Sequence, residues 1–117
     1  MIAVSRTVAS ATELVGWIDR SEVIRINYRH RDGSLEADPV EFDVPPWDTD
    51  GDGEHSVASQ VAGLEPILAR GAVAFAADLD GEPVGAAVVE QQFEDRMAWL
   101  AWLHVTSKAR RRGVASA

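Results

Sequence analysis

Lys108, Arg110, Arg111 and Arg112 fall within five positions and run directly into Gly113. The chain as a whole is acidic: its 117 residues carry 19 Asp and Glu against 11 Lys and Arg, a formal net charge of −8. A basic knot in such a chain reads as a local anion site, not as a broad nucleic-acid surface. The overall field repels polyanions, and no aromatic side chain is interleaved with the cations. Ahead of the knot, Met97 to Val105 (MAWLAWLHV) is apolar at nearly every position, which predicts a strand covered on both faces. A short connection follows, and a helix is predicted to start at Arg110. The first turn of a helix leaves main-chain N–H groups unpaired and carries partial positive charge. Arginines there oppose the helix dipole unless an anion sits at the terminus. Gly113 lets an extended polyanion approach the backbone, and Ala115 keeps the next turn small. A pyrophosphate suits such a cradle.

Other chemistries find less support. The chain has no cysteine, which excludes disulfides, thiolate metal sites and a cysteine nucleophile. His30, His55 and His104 show no metal-ligand spacing, and His104 is expected to be packed at the end of the apolar strand. Asp48-x-Asp50-x-Asp52-Gly53 copies the first half of a calcium loop, but Ser59 stands where the closing glutamate belongs. A flexible acidic loop, able to attract a cationic amine, is the better reading. No metal site is expected. No apolar run approaches the length of a membrane span, and Met1 to Val4 is too short for a signal-peptide core. The default expectation is a cytoplasmic protein without a membrane partner.

The elements that would position the basic knot can be read from periodicity and turn signals. Ala9 to Arg20 fits a short amphipathic helix, with Ser10 or Thr12 as its cap. Glu22 to Arg31 alternates as a half-buried strand, Asp32-Gly33 turns the chain, and Leu35 to Val44 returns with Pro39 inside it, as an edge strand. Pro45-Pro46 ends this hairpin and a Gly/Asp-rich loop follows. Ser56 to Arg70 is predicted helical, weakened by Gly63 and Pro66 and ended by Gly71. Ala72 to Leu79 and Pro83 to Phe93 form a second hairpin about Asp80-Gly81. Trp99 and Trp102 differ by an odd step, so opposite sheet faces are expected for them. The order predicts an α/β (α+β) fold, a mixed, mostly antiparallel sheet with flanking helices, in one domain. A chain with 46% hydrophobic residues can bury a core of its own.

Arg110-x-x-Gly113-x-Ala115 matches the pattern Gln/Arg-x-x-Gly-x-Gly/Ala, and LHVTSKARRRGVASA resembles the central strand, pyrophosphate loop and helix start of the GNAT superfamily of acetyltransferases. GAVAFAADLDGEPVGAAVV resembles that family's second and third strands. The resemblance covers Gly71 to Ala117. It implies an N-acetyltransferase that uses acetyl-coenzyme A as co-substrate and transfers the acetyl group to a primary amine by direct attack. It implies that residues 1–117 are the N-terminal portion of one such domain, stopping as the cofactor-binding helix begins. The main chain of Leu103, His104 and Val105 would follow the pantetheine arm and face the thioester oxygen. Arg110, Arg111, Arg112, Gly113, Val114 and Ala115 would hold the pyrophosphate.

Two departures bear on catalysis. Many relatives carry a glutamate near the position of Trp99, which cannot accept a proton; Glu90 on the preceding strand is the substitute candidate, through water. The family's usual tyrosine acid belongs to later elements, and the one tyrosine here is Tyr28, far from that place in the pattern. The alternative reading is therefore a non-catalytic acyl-coenzyme A-binding module or an inactive fragment. Without the later elements one edge of the 97–105 strand would stand open, and a homodimer is one way to cover it.

Overall fold

In a computed structural model, the backbone is described for residues 1–117 and the side chains for all but residues 92–94. The elements are β1 (Ile2–Thr7), α1 (Ala11–Gly16), β2 (Glu22–Arg31), β3 (Ser34–Val44), α2 (Val57–Ala69), β4 (Val73–Leu79), β5 (Glu82–Glu94), β6 (Met97–Val105) and a 3-10 turn (Ser107–Ala109). One sheet has the order β1-β4-β5-β6, and β2-β3 is a separate ribbon. Every strand pairing is antiparallel. The expected fold class holds, with both helices on one face of the sheet.

The Asp-Gly turns form as expected. Asp32 and Gly33 take φ of 48° and 80°, Asp80 and Gly81 take 53° and 86°, the positive pair that a tight hairpin needs. Ser10 closes a capping box on α1, its Oγ accepting from the Glu13 N–H at 3.1 Å while the Ser10 N–H donates to the Glu13 carboxylate at 3.3 Å. The helix is shorter than predicted and ends at Gly16. Buried Ser56 caps α2 by accepting from the Ser59 N–H at 3.0 Å. Pro66 is accommodated in the last turns of α2, and Gly71, at φ 99°, follows its C-terminus. Ala11, Leu14, Val15 and Ile18 meet Leu64 of α2 over Ala74, Ala86, Val88 and Trp102 of the sheet. The Trp102 indole N–H donates to Gln60 Oε1 at 3.1 Å, so the core's largest ring has its polar atom satisfied.

Four expectations need correction. β1 has no counterpart among the elements expected from periodicity: Ile2 to Thr7 pairs with β4 and gives the sheet its outer edge. β6 is not covered on both faces. It is the other edge strand, and the face carrying Leu100 and Leu103 has no helix over it; Leu103 is 44% exposed. The first hairpin is not half-buried, because it is a ribbon separate from the four-stranded sheet and, among the described residues, no helix or strand covers either of its faces. Ile26, Tyr28 and Phe42 are all exposed. Finally, pairing skips Ala101, since Val88 faces Trp102 while Val89 faces Leu100 and Glu90 faces Trp99. That bulge returns Trp99 to the same side as Trp102.

Candidate functional site

The C-terminal end of β6 is fixed from two sides. The Thr106 N–H donates to the Val84 carbonyl at 2.7 Å, and buried Thr106 accepts the Asp19 N–H on its hydroxyl at 2.8 Å. The Ser107 N–H completes the clasp by donating to the Asp19 carbonyl at 2.9 Å. In the sequence, residues 106–109 read only as a short connection. The polar pair Thr106-Ser107 directly after an apolar strand was the available signal.

This clasp sets which main-chain groups of β6 point where. The Thr106 N–H is turned toward β5, and groups alternate along an antiparallel strand. His104, opposite Ala86, therefore spends its main-chain groups on β5. Leu103 and Val105 turn theirs to the edge that carries no strand among the described residues. The Val105 carbonyl on that edge accepts from Arg110 Nε at 2.9 Å. Of the three residues expected to present amides outward, the structure offers two.

The predicted helix start at Arg110 does not form. After the 3-10 turn, Arg110 is extended, Arg111 is left-handed at φ 62° and Gly113 at φ 82°. Two left-handed residues within three positions break a right-handed helix before its first bonded turn, and nucleating one is already unfavourable. The result is a curled segment. Among the described residues, the main-chain N–H groups of 111–116 donate to no protein acceptor. Val114 anchors the curl: its side chain is buried with Ala77, Val84 and Ala109. Beneath it lies a hollow of about 170 Å³, lined by Gly85, Leu103, Val105, Val114 and Ala115.

The four basic side chains divide in two. Lys108 pairs with Glu82 at 2.5 Å, and Arg110 reaches Glu22 at 3.3 Å while it holds the Val105 carbonyl. Arg111 and Arg112 are exposed and have no carboxylate partner among the described residues. The positive charge left for a ligand is theirs, at the mouth of a curl of unpaired amides. A glycine at Gly113 also fits: any side chain there meets a backbone that L residues avoid.

Glu90 lies elsewhere. Arg70, at the end of α2, holds both its carboxylate oxygens, at 3.0 and 3.1 Å. Along β5 it stands four residues beyond Ala86, the partner of His104, roughly 13 Å at the usual rise of a strand. The fold does not bring it to the curl. His104 turns its ring to the helix-bearing face, between Trp47 (centroids 5.5 Å apart) and Trp102 (4.6 Å). Burial first, then the charges of Arg110 and Arg20, hold its imidazole below the ordinary pKa. It is packed, as its place at the strand end suggested.

The acidic loop is folded on itself. Asp48 Oδ1 accepts the N–H groups of Asp50 at 2.9 Å and Gly51 at 3.1 Å, and a Cβ on Gly51 would strike that carboxylate. Among the described residues no three His, Asp or Glu side chains converge as metal ligands, and no helix is long and apolar enough to cross a membrane.

The sequence model of the acetyltransferase (GNAT) family matches residues 35–117. The match begins well upstream of the segment in which the motif itself is legible, within the second strand of the exposed ribbon. No curated protein and no solved structure matches the chain significantly.

Proposed function

Since the chain belongs to the GNAT acetyltransferase family, we propose that it is an N-acetyltransferase that binds acetyl-coenzyme A along the open edge of β6 and passes the acetyl group to a primary amine. The observation that carries this reading is the run of unpaired main-chain N–H groups at 111–116 beside the unpaired Arg111 and Arg112. A diphosphate supplies the acceptors that the amides lack and the charge that the guanidinium groups lack. The amides of Leu103 and Val105 face the same edge, where they would stabilise the oxyanion that forms as the amine attacks the thioester carbon. The C–N bond forms, the C–S bond breaks, and coenzyme A leaves as the thiol.

Arg110 has a different part in this reading. It holds Val105 and ties the curl to β2, positioning the anion site without filling it. Val114 acts through its buried side chain, which seats the curl on Gly85. His104 contributes packing. Glu90, the sequence's candidate base, is engaged by Arg70 on both carboxylate oxygens, and this reading assigns it no proton transfer. The open edge of β6 is proposed to be covered in the working protein, by a further strand or by a second copy. A cytoplasmic setting, where the acyl donor is at hand, goes with the proposal. The occupied Glu90 and the tryptophan at position 99 favour the second reading, an acyl-coenzyme A-binding module without catalysis.

The test has two stages. Coenzyme A binding is measured by calorimetry on the wild-type protein and on Gly113→Glu, which adds bulk and negative charge to the curl. Binding by the wild type and its loss in the variant are expected; undiminished binding by Gly113→Glu removes the proposed cradle. Thiol release is then followed with a panel of primary amines, and release with none of them, in a protein that binds coenzyme A, leaves the binding module.

A further inference from the structure

Arg20 follows α1 and lies over the ring of Trp47, its guanidinium carbon 5.2 Å from the ring centroid. Its Nη1 is shielded from solvent and has no hydrogen-bond partner, and the same is true of Trp47 Nε1. No carboxylate pairs with Arg20 among the described residues. A shielded cationic donor without an acceptor is costly, more so than a neutral one, and folded proteins seldom leave two such donors side by side. Both residues line one cavity of about 550 Å³, whose wall is mostly Phe42, Val44, Pro45 and Pro46, with Thr49 and His55 beside them. Asp48 also borders it, but turns its Oδ1 into its own loop.

The cavity is linked to β6 through one ring contact. Trp47 packs edge-on against His104, and the main chain on either side of His104 is that of Leu103 and Val105. The field of Arg20 is felt at His104, where it helps to disfavour the imidazolium. An apolar wall, a planar cation and an indole donor together describe a recognition site for a carboxylate on an apolar body.

We infer that this cavity binds the carboxylate of the amine acceptor, so that the substrate class is an amino acid with an apolar side chain. The carboxylate sits against the Arg20 guanidinium and Trp47 Nε1, reached by a rotation of the arginine about its stem. The side chain lies on the proline and phenylalanine wall. The amino group is left to face the edge of β6. The inference rests on the acetyltransferase reading for the fate of that amino group, though not for the binding of the carboxylate.

Leucine, methionine and phenylalanine are titrated into the full chain, each beside its own carboxamide, with the indole N–H resonance of Trp47 (assigned through W47F) as the readout. The amino acids are expected to shift that resonance and to bind at least tenfold more tightly than their amides. R20M, which keeps the stem and removes the charge, is expected to bring each acid down to the level of its amide. Equal binding of acid and amide by the wild type, or an undiminished preference in R20M, overturns the inference. Should R20M fail to fold, the wild-type comparison decides alone. Coenzyme A is titrated into the same samples: its failure to bind while the carboxylate preference persists counts against the acetyltransferase reading and leaves the cavity assignment standing.

Discussion

A Cβ built on Gly85 would stand 3.0 Å from Val114 Cγ1, closer than side chains normally pack. The fifth strand and the C-terminal curl therefore touch through a contact with no spare room. Gly85→Val should force the curl away from the sheet or strain it in place. Overpacking of this kind typically destabilises by about 1–3 kcal/mol. We expect a lower midpoint in urea and weaker coenzyme A binding from the same substitution. Gly85→Ala asks Val114 to give by a few tenths of an ångström only, and should bind coenzyme A within about threefold of wild type, since small volume changes are partly absorbed. Normal binding by Gly85→Val would mean that the curl does not need its seat on β5.

The division of the basic residues into paired and unpaired gives a second prediction. Arg111 and Arg112 are the cations without carboxylates, so the double change to glutamine should weaken coenzyme A binding about tenfold or more and flatten its salt dependence. Lys108→Gln removes a cation already matched by Glu82, and both groups are well exposed. It should change the affinity by less than about twofold, in line with the small worth of exposed ion pairs. Isothermal titration at two salt concentrations separates the variants. Equal losses from both would show that total charge matters, not the pairing pattern.

His104 supplies a pH dependence. Its pKa is lowered in the folded state by burial, then by Arg110 and Arg20. Between the folded and unfolded pKa values the unfolded chain binds the extra proton, so stability rises with pH there. The contribution of neutral His104 is fully present above the unfolded value and is lost as pH falls below it. Asp19 and Asp80 are also shifted, downward, Asp19 by its bonds to Ser21 and Asp80 by the N-terminal ammonium. Their stabilising effect is lost only as pH falls through values below the ordinary aspartate pKa of 3.8, a separate window. The urea midpoint of the wild type should fall between pH 7.5 and 5.5, and His104→Phe should fall less. Parallel declines in the two proteins would assign the effect to other groups.

Much of this architecture is legible in the residues, and the losses have physical causes. Asp32-Gly33 and Asp80-Gly81 announce their turns because only such pairs accept two positive φ values cheaply. Ser56 and Gly71 bracket α2 for similar local reasons. β1 escaped because a six-residue edge strand with Ser5 and Arg6 in it shows no period; it exists through its pairing with β4. The curl escaped because Arg111 adopts a left-handed backbone for which its side chain gives no hint. At the candidate site, the motif marks the segment but not how its side chains are engaged. Arg110 reads as a ligand group in sequence, and its contacts with Glu22 and the Val105 carbonyl could not be read there, because these partners arrive from distant elements. Arg20 and Trp47 are 27 positions apart, and nothing in either neighbourhood marks them as one pair.

Glu90 tests how far a missing glutamate can be replaced by a neighbour. A base acting through water needs a lone pair turned toward that water and a short relay to the amine. Arg70 occupies both carboxylate oxygens of Glu90 from the α2 side, and the side chain is mostly covered. The carboxylate lies along β5 from the row of His104, while the outward amides of Leu103 and Val105 flank that row. Moving a proton over such a span requires several waters, each of which must be held in place. Glu90→Gln keeps the shape and one acceptor, and so should leave thiol release within about twofold and its pH profile unshifted, since no general-base term of the usual 10²–10⁴ would be lost. Arg70→Ala should likewise leave the profile in place, although it frees the carboxylate. If Glu90→Gln abolishes the acidic limb of the profile, the proton does travel through Glu90, and the arginine clamp must open during the reaction.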